Sequence, residues 1–146
     1  MSDDAPREIV VEGKSSGFAN LVTIGAHSFA ADEPVAAGGG DTGPSPYDLL
    51  CAALGACTSM TVSVYARRKG WPLESVRVHV RHSKIHARDC AECETKEGMV
   101  DRLEREIELV GAVDDAQRQR LLEIANKCPV HRTLTSEISI ATRLIP

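Results

Sequence analysis

The stretch Gly43–Gly70, GPSPYDLLCAALGACTSMTVSVYARRKG, dictates most of what this chain can become. Ser45 is a good N-cap, because its side-chain oxygen can accept from the first free amides of a helix. Pro46 follows at the first helical position, where its missing N–H costs nothing. Asp48, three residues after Ser45, completes a capping-box pattern. At the far end Arg67, Arg68 and Lys69 place positive charge where the helix dipole favours it. Gly70 can adopt the left-handed cap and Pro72 forbids continuation. The stretch therefore predicts one helix about 35 Å long. Leu49, Leu50, Ala53, Leu54, Met60, Val62 and Val64 spread apolar surface round much of its circumference, which predicts burial. Ala52, Ala53, Gly55 and Ala56 would let another backbone approach closely. Gly55, Thr58, Ser59, Thr61 and Ser63 interrupt the apolar run, so the helix reads as a core helix and not a membrane span. Cys57 lies at its middle.

The flanking chain predicts short strands and one further helix. Ile9–Val11 is a strand candidate, and Leu21–Ala31 reads as two strands about a Gly25-Ala26 turn. Residues 36–46 form a Gly/Pro loop leading to the helix. Val76, Val78 and Val80 alternate with polar residues, as do Leu103, Ile107 and Leu109, giving two half-buried strands joined by a loop from His82 to Gly98. Asp114 or Asp115 caps a helix carrying Leu121, Leu122, Ile124 and Ala125. Ile138 and Ile140 place a last strand near Glu137–Leu144. Strands in clusters rather than in single alternation with helices indicate an α+β class, with antiparallel sheets around the long central helix. The length indicates a single domain over residues 1–146, with the polar residues 1–7 disordered. The helix is too apolar to be covered by a few short strands, so a homodimer is expected to bury it.

Composition removes several function classes. A net charge of −4 without a basic run argues against nucleic acid as a partner. The N-terminal MSDDAPREIV lacks a basic region followed by an apolar core, which places the protein in the cytoplasm and away from membranes. Five cysteines, an odd number, speak against a structural disulfide framework.

Two groups of residues carry chemistry. Cys128 precedes Pro129, so it can cap a new helical turn whose amides favour a thiolate, and Lys127, His131 and Arg132 offer positive charge. Cys57, in apolar company, needs a cation from outside its own helix. Cys51 reads as a small buried hydrophobe. The second group is His82, His86, Cys90 and Cys93. Two histidines and a Cys-x-x-Cys form the ligand set of a tetrahedral zinc site. If the strand through Val76 ran on to His86, however, the two imidazoles would stand about 13 Å apart and could not share one metal. A Cys90–Cys93 disulfide and two free loop thiols are the alternatives.

The segments SPYDLLCAALGAC and NKCPVHRTL together resemble the OsmC/Ohr family, over about Leu21 to Leu144. The resemblance implies an OsmC-like fold and an intertwined homodimer with sites at the subunit interface. It further implies thiol-dependent reduction of organic hydroperoxides and hydrogen peroxide, with no cofactor required. By motif position Cys57 corresponds to the peroxidatic cysteine and Cys128 to the resolving one. Their disulfide would be reduced by an external dithiol. The chain departs from the family pattern in two places. Tyr47, followed by Asp48, stands where the family has a glutamate, and no arginine lies between Glu8 and Arg67. Arg132, His131 or Lys14 would then have to supply the cation, with Tyr47 and Asp48 in support. The competing readings are a non-catalytic OsmC-like dimer binding a small apolar ligand, and a zinc-binding member using the His/Cys group.

Overall fold

The computed structural model describes residues 5–146. The first four of the residues expected to be disordered lie outside that range. The chain divides into two compact units, one up to Leu50 and one from Cys51 onward.

The first unit is a three-stranded antiparallel sheet of β1 (Ile9–Gly13), β2 (Asn20–Ile24) and β3 (His27–Ala31), in that order. The expected turn joins β2 to β3, with Gly25 at a φ of 58°. Beyond β3 the Gly-rich segment is held by one carboxylate. Asp32, buried, accepts from the amides of Glu33, Gly40 and Thr42 and from the Thr42 hydroxyl. The Thr42 hydroxyl and the Glu33 amide hold its pKa below the ordinary carboxylate value. Gly43 passes so close to the Ala30 carbonyl that a Cβ would collide with it. This packing delivers the chain to Ser45, where the expected capping box forms. The Asp48 amide donates to Ser45 Oγ (3.2 Å) and the Ser45 amide donates to Asp48 Oδ2 (2.9 Å).

Helix α1 runs Pro46–Lys69, as its end signals require. Gly70 is left-handed, and the Gly70 and Trp71 amides return to the Arg67 and Ala66 carbonyls in a Schellman pattern. In the second unit α1 buries a single stripe, Leu54, Thr58, Val62 and Ala66, spaced four apart. The expected full burial is not reached within one chain, since Met60 remains 67% and Val64 37% exposed. The stripe packs on a core of Val113, Leu121 and Ala125, with Val76, Ile107 and Leu109 against it.

Strands β4 (Leu73–His86) and β5 (Met99–Gly111) form an antiparallel ribbon longer than alternation alone indicated. The ladder continues to His86 opposite Met99, so the connecting loop shrinks to residues 87–98. Cross-strand pairs Arg81–Glu106 and His79–Glu108 line its outer face, and Lys84 pairs with Asp101 on the other face near the end of the ribbon. Exposed pairs of this kind are screened by solvent and contribute little to stability. Helix α2 (Asp115–Ala125) starts on a capping box between Asp114 and Gln117. After Lys127 the short helix α3 (Pro129–Leu134) begins, with Cys128 as its N-cap. The last expected strand does not form. Residues 137–146 have no regular structure, and Ile138, Ile140, Leu144 and Ile145 are all more than half exposed. Their alternating pattern is real, but among the described residues β4 and β5 pair only with each other and leave this segment outside the sheets.

Candidate functional site

Helix α1, strand β5 and the start of α3 bring two thiols together. Pro129 cannot donate a backbone hydrogen bond, and its fixed φ starts a helical turn directly after Cys128. The next two amides therefore point at sulfur. The His131 amide donates to Cys128 Sγ (3.3 Å) and the Val130 amide to Cys57 Sγ (3.5 Å). Cys128 is fully buried, whereas Cys57 is half-buried. Thr58, next to Cys57 on the buried stripe, lies 3.8 Å from Cys128 Sγ through its hydroxyl, which donates to the Leu54 carbonyl (2.7 Å).

The cation beside Cys128 is Arg105 of β5, which was not among the expected candidates. Its guanidinium donates to Thr58 Oγ1 (2.9 Å), Asn126 Oδ1 (2.8 Å) and His131 Nδ1 (3.0 Å), and reaches Cys128 Sγ at 4.0 Å. A guanidinium can only donate, so Nδ1 of His131 must be unprotonated. Burial and the neighbouring Arg105 charge both hold the His131 pKa below its ordinary value. His131 is thus a neutral acceptor in place of the expected cation. Arg132 is exposed, and Lys14 is an exposed residue of the first unit. The sequence signal for Arg105 was its parity. Leu103, Ile107 and Leu109 face inward on β5, and Arg105 occupies the same face, a charge set between Leu103 and Ile107.

Burial pushes the Cys128 thiol up. The His131 amide, the Cys57 thiol and the Arg105 charge together pull it further down, so its pKa lies below the ordinary thiol value. A thiolate on Cys128 that accepts from Cys57 S–H is a pair sharing one proton. Such a pair can lose two electrons to an oxidant and close a disulfide.

Asp48 is engaged in the helix cap, and Tyr47 sits beside it, 46% exposed. The structure does not gather the four residues of the zinc reading at one point. His82 and His86 stand four residues apart on the continuous strand β4, a separation of about 13 Å. The His82 Nε2 atom is 2.8 Å from Asp101 Oδ1, and Cys90 and Cys93 are joined as a disulfide. Among the described residues no group of three or more His, Cys, Asp or Glu side chains is placed to hold a metal.

Solved structures share this α+β fold at low sequence identity. An organic hydroperoxide resistance protein from Legionella pneumophila matches with a TM-score of 0.68 and 18% identity, covering 92% of each chain. The organic hydroperoxide resistance protein OhrB of Bacillus subtilis matches at 0.63 and 20% identity, over 90% of this chain and 91% of that one. An OsmC-like protein from Mycoplasma pneumoniae matches at 0.70 and 18% identity, over 90% and 88%. Comparison with curated protein sequences gave no match. The family model described as OsmC-like protein matches residues 38–143, and the chain belongs to that family. Helix α1 has the length and apolarity to cross a membrane, but it packs on the core of this fold through its buried stripe.

Proposed function

We propose that the protein is a cytoplasmic thiol peroxidase reducing organic hydroperoxides, and hydrogen peroxide more slowly, through Cys57 and Cys128. The observation that carries this reading is the convergence of two thiols, two helix-start amides and Arg105 at one point. Cys57 is the more accessible sulfur and takes the peroxidatic role. It passes its proton to Cys128 and attacks the peroxide O–O bond, giving a sulfenic acid and an alcohol. Cys128 then displaces hydroxide from the Cys57 sulfur, which leaves as water, and forms the disulfide. An external dithiol restores both thiols. Arg105 supplies the positive charge that the early strands lack, and it holds His131 as a neutral acceptor.

The two units act as one OsmC-like domain in a homodimer. Met60, Val64 and the unpaired tail residues Ile138, Ile140 and Leu144 present apolar surface that one chain leaves open, and a second copy would cover it. A peroxide-consumption assay with a dithiol reductant, comparing the parent protein with Cys57→Ser, tests the activity. Equal consumption by both would reject it in favour of a non-catalytic dimer binding an apolar ligand.

A further inference from the structure

The Cys90–Cys93 disulfide lies in the loop between β4 and β5, apart from the Cys57/Cys128 pair. Arg105 stands opposite Val80 in the ladder, and His86, at the loop, is six residues further along β4. That is roughly 20 Å of strand, so this disulfide does not serve as the internal partner of Cys57 within one chain.

It is also poorly suited to be a staple. Its cysteines are three apart in sequence, and so short a ring restrains the unfolded chain least. The loop is pinned by other bonds. The Ala87 amide donates to the Gly98 carbonyl (2.8 Å) and the Cys90 amide to the Ala87 carbonyl (3.1 Å). Lys96 Nζ donates to the Cys93 carbonyl (2.9 Å). The two sulfurs differ in access, because Cys90 is buried and Cys93 is half-buried. Asp89, Glu92, Glu94 and Glu97 surround them as exposed carboxylates. Arg88 and Lys96 are exposed cations of the same loop.

We propose that Cys90–Cys93 is a second thiol–disulfide exchange site, taking electrons from an external dithiol through Cys93. One thiolate of the reagent attacks Cys93 Sγ. The S–S bond breaks, and the electron pair leaves on Cys90 Sγ, which takes a proton. The second reagent thiolate then attacks the reagent sulfur of the mixed disulfide and releases Cys93, which takes the second proton. The loop gains two electrons and two protons, and the reagent becomes a disulfide. This site does not depend on the peroxide reading.

The test is a titration of the full chain, with Cys57 and Cys128 both changed to Ser, in buffers of reduced and oxidised dithiothreitol. Samples are acid-quenched, alkylated and mapped by peptide mass. Both loop thiols should appear together, reversibly, at a ratio proportional to reduced over oxidised reagent, while the protein stays folded by circular dichroism. With glutathione disulfide, Cys90→Ser should trap glutathione on Cys93 at least tenfold faster than Cys93→Ser traps it on Cys90. Dihydrolipoamide and a thioredoxin system at equal dithiol concentration distinguish a small donor from a protein one by the faster rate. A disulfide that yields only when the chain unfolds would overturn the proposal in favour of a staple. Reduced thiols that bind one equivalent of zinc and resist alkylation would overturn it in favour of a metal site.

Discussion

Replacing Arg105 with Met keeps a long side chain on β5 and removes the charge and all four of its polar contacts. The guanidinium stands 4.0 Å from Cys128 Sγ. At that distance two unit charges interact by about 1 kcal/mol in water and about 4 kcal/mol at an effective dielectric of 20. Arg105 is half-exposed, so the lower part of that range applies, about 1–2 kcal/mol. That corresponds to a roughly 5- to 30-fold fall in the acid dissociation constant of the Cys128 thiol. The assay is thiolate ultraviolet absorbance against pH, in a Cys51→Ser, Cys57→Ser background so that Cys128 is the one free thiol that titrates. The same change should reshape stability against pH. The folded Cys128 pKa lies below the ordinary thiol value, so in the window between the two the unfolded chain binds more protons and stability rises with pH. That contribution is present above the unfolded pKa and lost as pH falls through the folded one. Arg105→Met should flatten this alkaline rise, measured by denaturant midpoints across the window. His131 behaves in a related way. Its folded pKa is also depressed, so stability falls as pH drops below its unfolded value, near 6.5. The variant should soften that acid loss only in part, because burial is the larger cause. An unchanged Cys128 titration in a folded Arg105→Met protein would refute the assignment of Arg105 as the cation of the site.

Three further outcomes follow from the geometry. Cys57→Ser should abolish peroxide consumption, whereas Cys128→Ser should react once and then stall as a sulfenic acid or over-oxidise, as read by stoichiometric peroxide and intact mass. Sedimentation at micromolar concentration should show a dimer, and removing residues 137–146 should weaken it, since their apolar side chains have no cover within the chain; a stable monomer at all concentrations would reject the assembly. Gly43→Ala should lower stability by about 1–3 kcal/mol, seen as a reduced denaturant midpoint, because the new Cβ meets the Ala30 carbonyl at the entry to α1.

Helix α1 was legible to the residue because Ser45, Pro46, Asp48 and Gly70 are local signals that act on the backbone directly. The N-cap role of Cys128 was legible for the same reason. The length of β4 was not. Ser83 and Lys84 break its alternation, and the ladder is continued by backbone pairing with β5 and by Asp101, which lies seventeen residues from Lys84. The last strand illustrates the opposite case. Ile138 and Ile140 carry a strand pattern, but a pattern cannot supply an edge to pair with. Arg105 was missed because the cation was sought in the early strands, at Lys14, and beside Cys128, at His131 and Arg132, whereas strand register delivers it from β5. Its place among inward-facing Leu103, Ile107 and Leu109 was the available clue.

The tethering of Arg105 gives the site a second use for the same charge. Thr58, Asn126 and neutral His131 hold the guanidinium through bonds that do not involve the sulfurs. Once Cys57 and Cys128 are joined, the negative charge it faced is gone and the positive one stays in place. The oxidised protein would then carry an unanswered cation beside the very bond that a reductant must attack. A dithiol attacks as a thiolate, itself an anion, so the group that sharpens the resting thiol also draws in the reagent that resets it. Re-reduction should accordingly slow as ionic strength rises, and small anions should compete with the incoming thiolate.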